Sequence, residues 1–205
     1  MEKNDTLLQA FEWYLPDDSQ HWNKLKVLAP SFSNLGVTLV WLPPAYKGAG
    51  GVHDVGYGVY DLYDLGEFDQ KGTIPTKYGT KQEYLDAISA LQKENITVLA
   101  DIVLNQKMGG DTEETIDVIK SDPNNRNEEI GSDYQITAWT KFTFPGRNDR
   151  YSAFKWNYNL FTGVDFNNEN KKTAIYKIVG ENKNWSEEVD SEMGNYDYLM
   201  NADVN

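Results

Sequence analysis

The chain has 205 residues, 40% hydrophobic and 13% aromatic, a globular composition long enough to bury a substantial core as one domain or two. With 32 acidic against 19 basic residues the net charge is −13, which argues against nucleic acid and against an anionic membrane, because both require a basic patch; a neutral substrate and hard cations remain compatible. The chain has no cysteine, so disulfides, thiolate metal sites and cysteine nucleophiles are excluded.

The opening Met-Glu-Lys-Asn-Asp-Thr-Leu-Leu-Gln lacks the apolar core of a signal peptide, and no run approaches the roughly 18 apolar residues of a membrane helix, so the expected location is the cytoplasm. Residues 6–13 read as a first strand. Trp22, Leu25 and Leu28 then suggest a helix whose face Phe32 and Leu35 continue, with Pro30 expected to interrupt or restart it. Residues 37–42 are a second short, β-branched, apolar run of the kind found in buried parallel strands. Residues 81–93 are a helix, with Tyr84, Leu85, Ala87, Ile88 and Leu91 on one face, and residues 96–104 are a third strand. Strand–helix–strand alternation is the unit of a parallel sheet, and three strands fit either a doubly wound sheet or the start of a (β/α)8 barrel. The long Gly-rich insertion after the second strand favours the barrel, whose sites lie on loops at strand carboxy ends.

After Lys107 the pattern changes. Residues 112–205 are rich in Asn, Asp, Trp and Tyr, with alternating pieces at 134–144 and 173–179, and read as an irregular β-rich module inserted after the third strand. The charged stretch 121–129 is expected to be a solvated loop.

Residues 56–79 carry the most chemical information. The run Gly-Tyr-Gly-Val-Tyr-Asp-Leu-Tyr-Asp-Leu-Gly-Glu-Phe that begins at Gly56 has too much Gly for a helix and too much Tyr and Asp for an ordinary turn. Flat rings beside carboxylates suit a sugar, the rings facing its C–H surface and the carboxylates accepting its hydroxyl hydrogens; structural tyrosines in a solvated loop are the competing reading. The wording of this run resembles the early loop of the α-amylase family of glycoside hydrolases. Leu8-Gln-Ala-Phe-Glu-Trp-Tyr14 and the later Trp22 resemble the first strand and loop of its liquefying bacterial members. Ala138-Trp-Thr-Lys-Phe-Thr-Phe-Pro-Gly-Arg147, Phe154-Lys-Trp156 and Gly194-Asn-Tyr-Asp-Tyr-Leu-Met-Asn-Ala-Asp203 resemble their inserted domain B. The resemblance covers essentially the whole chain.

It implies the following. The fold class is α/β, the first three βα units of a TIM (β/α)8 barrel over residues 1–107, with an inserted, irregular, calcium-associated domain B over residues 108–205 and the barrel left incomplete. Asp101-Ile-Val-Leu-Asn105-Gln106 resembles the family's first conserved region, Asp-x-Val-x-Asn-His, making Asp101 a carboxylate at the floor of the site and Asn105 a calcium ligand. Asp197 and Asp203 match further Ca2+ ligands, while Thr162 and Ser186 stand where a second metal site would have carboxylates. Gln106 replaces the family's sugar-binding histidine, and the two histidines of the chain, His21 and His53, lie elsewhere; glutamine can donate and accept but cannot carry imidazolium's charge. Tyr57 matches the ring that stacks on sugar at the cleavage subsite. Trp13, Trp156 and Tyr158 are further aromatic candidates, for which a core role competes.

A retaining glycosidase needs two carboxylates about 5–5.5 Å apart, a nucleophile and an acid/base. In this family the nucleophile lies in a Gly-Phe-Arg-x-Asp-type motif; Arg126, Arg147 and Arg150 are the arginines here, and none sits in such a motif. The catalytic carboxylates are expected beyond Asn205, which makes the chain the N-terminal portion of an α-amylase acting on α-1,4-glucans such as starch or glycogen, itself inactive. The alternatives are a non-catalytic carbohydrate- or partner-binding protein and a sister enzyme acting on short glucosides.

Overall fold

A computed structural model describes residues 4–186 and 201–204. They divide into two compact units, one from Met1–Val103 with Pro145–Ser152, the other from Leu104–Phe144 with Ala153–Asn205.

In the first unit the chain runs through β1 (Leu7–Gln9), α1 (His21–Asn34), β2 (Leu39–Leu42), the short β3 (Lys47–Gly48) and β4 (Val59–Asp61), α2 (Lys81–Lys93) and β5 (Thr97–Ala100). β1, β2 and β5 form a parallel sheet with β2 in the middle, in register Leu7↔Leu39 and Leu39↔Thr97. Each strand is shorter than the apolar run that predicts it. Apolar composition continues past the ladders, and Trp13 and Ile102, beyond the ends of β1 and β5, are 61% and 60% exposed.

α2 occupies the predicted residues because its start is written locally: the Thr80 side chain accepts from Glu83 N–H while Glu83 reaches back to Thr80 N–H, a reciprocal cap. Its buried Tyr84, Ala87 and Leu91 meet Trp22, Leu25 and Ala29 of α1 over Val40 and Leu42 of the sheet, and the Trp22 and Tyr84 rings lie 4.9 Å apart. Pro30 does not interrupt α1, contrary to expectation; the helix continues to Asn34. Pro30 deprives the Lys26 carbonyl of its i+4 donor, a cost of about 3 kcal/mol or more. The ring points outward, so only the solvent face bears that loss, and burial of Trp22, Leu25 and Ala29 on the other face offsets it. Leu28 and Leu35 do not join that face; they are 43% and 79% exposed.

The second unit is a six-stranded antiparallel sheet of β6 (Gln106–Lys107), β7 (Thr112–Asp122), β8 (Asn125–Lys141), β9 (Phe161–Asn167), β10 (Lys172–Ile178) and β11 (Ala202–Val204), in the order β6-β11-β9-β10-β7-β8. Alternation buries Ile116 and Val118 on β7 and Ile136 and Ala138 on β8, with Ile116 opposite Ile136. The stretch 121–129 is not a loop but the closed end of this hairpin. Asp122 pairs with Asn125, Asp122 Oδ1 accepts from Asn124 N–H at 2.7 Å, and Pro123 with Asn124 makes the turn. Its charges sit on strand ends, Glu129 pairing with Lys177 of β10 at 2.8 Å. No helix among the described residues is long and apolar enough to cross a membrane.

Candidate functional site

The carboxy ends of the three parallel strands place the first unit's chemistry. Beyond β5 lies Asp101, beyond β1 lies Trp13, and the connection after β2 carries Tyr57. Three of the residues predicted from sequence are thereby brought together. Tyr57 donates its hydroxyl to Asp101 Oδ2 at 2.8 Å, and its ring stacks on Trp13 with centroids 6.1 Å apart and planes 7° from parallel. Burial first, and then the bond to Asp101, pushes the Tyr57 phenol up to about 12, so at neutral pH the proton stays on tyrosine and Asp101 accepts it. Tyr46, which the sequence did not single out, accepts Val103 N–H at 2.9 Å and fixes the segment just after Asp101; burial raises its phenol to about 12 as well.

The turn that presents Tyr57 is built on Asp54. Its Oδ1 accepts from Gly56 N–H at 2.8 Å and Gly58 N–H at 3.2 Å, and Oδ2 from Gly50 N–H at 3.1 Å. Gly56 has φ +99°, and a Cβ there would lie 2.5 Å from Pro44 Cβ, so only glycine fits before Tyr57.

The other acids of the 56–79 run have a different role. Asp61 and Asp64 are 1% and 0% exposed and face no solvent. Asp61 Oδ2 binds Arg147 Nε at 2.8 Å and Gln70 Nε2 at 3.0 Å. Asp64 lies 3.3 Å from the Lys47 ammonium, accepts from Gln70 Nε2 at 3.0 Å, and gathers the amides of Gly66, Glu67 and Phe68 on Oδ1. Lys47 also donates to the carbonyls of Phe68, Thr73 and Ile74. Burial pushes its pKa down, and Asp64 opposes that. Arg147 Nη1 donates to the Arg150 and Ser152 carbonyls. This network folds the loop; it does not face a ligand. Sequence reasoning missed it because its two cations lie outside the run.

In the second unit, Gln106 on β6 is directly opposite Asp203 on β11. Asn105 just precedes β6, and its carbonyl accepts Val204 N–H at 2.9 Å. Asn105 and Asp203, two of the predicted oxygen ligands, therefore stand on neighbouring chain segments; Asp197 lies outside the described residues. Among the described residues no three His, Cys, Asp or Glu side chains gather as a metal site. Thr162 is buried at 3% exposure and Ser186 is exposed. Trp156 stacks on Phe161 at 5.7 Å, a packing contact, and Tyr158 is half-buried.

No protein-family model matches the chain. Against curated proteins it is 55% identical over 201 residues to an α-amylase of Geobacillus stearothermophilus, covering 98% of this chain and 36% of that protein. It is 46% identical over 204 residues to the cytoplasmic α-amylase of Escherichia coli K12, covering 98% and 41%. The chain belongs to the α-amylase family. It spans about two fifths of the length of these relatives. Among solved structures, an alternansucrase in complex with isomaltotriose superposes with a TM-score of 0.63 at 26% identity, over 72% of this chain and 14% of that one. The α-amylase family relationship and the mixed α/β architecture with a β-rich portion therefore agree.

Proposed function

We propose that the chain is part of a retaining α-amylase that hydrolyses internal α-1,4-glucosidic bonds of starch or glycogen, residues 1–107 contributing to a (β/α)8 barrel and residues 108–205 forming an inserted domain B. The observation that carries the reading is the Trp13–Tyr57 stack at the carboxy ends of parallel strands, with the Tyr57 hydroxyl held on Asp101. A flat aromatic surface beside a carboxylate holds a neutral polyhydroxylated ring without demanding charge on the ligand, in keeping with a chain of net charge −13. On this reading Trp13 and Tyr57 bind glucan, Asp101 supports the site floor, Gln106 contacts sugar near the cleaved bond, and the nucleophile and acid/base carboxylates come from outside these 205 residues.

Titration of the purified chain with maltoheptaose by calorimetry tests it. Binding is expected, and Trp13→Ala should weaken it about 5- to 10-fold, the value of one aromatic contact. Reducing-sugar release from starch should stay at background. Wild-type chain that fails to bind maltoheptaose would overturn the reading, and release proportional to purified protein would show that catalytic groups lie within these residues.

Calcium belongs to the same proposal. Asn105, Asp203 and Asp197 offer amide and carboxylate oxygens, the hard donors that Ca2+ takes, and the first two lie on adjacent chain segments, Asp203 opposite Gln106 and Asn105 bonded to Val204. Bound there, the ion would supply a cross-link between strand ends. Calcium is expected to raise the melting temperature of the chain slightly, by mass action on the folded state, and Asp203→Ala should remove the shift; an undiminished shift in that variant rules these ligands out.

A further inference from the structure

We propose that Asp17 is a positioning residue which clasps His53 and Lys77 together and thereby aligns the Trp13 and Tyr57 rings for glucan binding. The inference rests on the glucan-binding reading of that platform.

Trp13 and Tyr57 belong to two separate loops, residues 10–20 after β1 and the connection after β2, and Asp17 is where these loops meet. Its Oδ2 lies 2.6 Å from His53 Nδ1, and its Oδ1 accepts the Lys77 ammonium. The Lys77 side of the clasp is rigid. The Lys77 side chain is 5% exposed, and its stretch is bonded to the first loop by Ser19 N–H to Lys77 O at 3.1 Å and Ser19 Oγ to Thr76 O at 2.9 Å, and to the start of α1 by Trp22 N–H to Tyr78 O at 3.0 Å. The His53 side is open, with the imidazole 76% exposed. His53 ends the short 3-10 turn Gly51–His53 and adjoins Asp54, which gathers the amides around Tyr57. The Asp17–His53 contact thus joins the Trp13 loop to the turn that aims Tyr57.

Of the charges around it, Asp18 is paired with Lys24 at 2.8 Å, Asp54 is engaged with backbone amides, and Glu12 accepts Tyr14 N–H at 2.6 Å. Contact with His53, and then with Lys77, holds the Asp17 carboxyl below the usual carboxylate range. Asp17 therefore stays ionised at neutral pH, and one carboxylate holds the Lys77 stretch and the His53 turn to the Trp13 loop.

The test is maltoheptaose affinity at about pH 7 for the wild-type chain, Asp17→Ala, His53→Ala and His53→Gln, together with the NMR signal of the Trp13 indole N–H, assigned by its loss in Trp13→Phe. Asp17→Ala is expected to bind about two- to five-fold more weakly than wild type, the range of an exposed ion pair, and to move the Trp13 signal. His53→Ala should do the same in smaller measure, and His53→Gln, which keeps a hydrogen-bond donor there, should return towards wild type. An Asp17→Ala variant with a wild-type circular dichroism spectrum, wild-type affinity and an unmoved Trp13 signal overturns the clasp. Absence of maltoheptaose binding by the wild-type chain would instead sink the glucan reading, with the clasp still decided by the Trp13 signal.

Discussion

Arg147→Ala is expected to lower the free energy of unfolding by about 3–5 kcal/mol, the cost of stranding a buried charge. Asp61 and Arg147 are each 1% exposed at the side chain, and their contact is 2.8 Å. In the alanine variant Asp61 keeps Gln70 and Tyr63 N–H but loses the counter-charge, and the Arg150 and Ser152 carbonyls lose their guanidinium donor. Urea denaturation followed by circular dichroism measures the loss. Adding Asp61→Asn should recover part of it by removing the stranded charge, so the two changes should be strongly non-additive. A loss under about 1 kcal/mol for Arg147→Ala would mean that water reaches Asp61 and the pair is worth no more than a surface one.

Lys47→Met should be comparably severe, again about 3–5 kcal/mol. Methionine fills much of the same volume, so the loss reports charge and hydrogen bonding rather than a cavity. The ammonium serves Asp64 and three carbonyls, those of Phe68, Thr73 and Ile74, in a site where its side chain is 0% exposed. Removing it leaves four acceptors to be resolvated, and the loop 66–74 should open with them. Limited proteolysis is the second readout: new cleavage within that loop is expected in the variant and absent in wild type. A variant as resistant as wild type and within about 1 kcal/mol of it would show that Asp64 is held by backbone amides alone.

The parts of the fold that could be read from the sequence are those specified by neighbours in the chain. α2 was legible from the spacing of Tyr84, Ala87 and Leu91, and its reciprocal cap, Thr80 with Glu83, lies beside that run in the chain. The three parallel strands were legible as apolar runs, but not their ends, because hydrophobicity does not stop where pairing stops. Pro30 misled because proline's local cost was outweighed by burial of Trp22 and Ala29, which no local rule weighs. The 121–129 hairpin end misled because an edge strand can carry charges on its exposed positions and still pair. In the candidate site Tyr57, Asp101 and Trp13 were legible as residues, but not the stack and bond that join them. Asp61 and Asp64 looked like ligand-facing acids from their own run; what assigns them to the interior is Lys47, before the run, and Arg147, separated from Asp61 by 86 residues.

That separation bears on how the protein can be taken apart. Because Pro145–Ser152 belongs to the same unit as Met1–Val103, no single cut in the polypeptide yields that unit whole. A piece ending at Val103 would carry Asp61 without its guanidinium. It would also lack the segment at Gly146, whose backbone lies so close to the Asp69 carbonyl that an added Cβ would sit 2.1 Å from its oxygen. Dissection therefore has to follow the path of the chain through space: a faithful minimal version of the unit would splice residues 145–152 back in through a short linker, and a library of simple end-truncations would miss it.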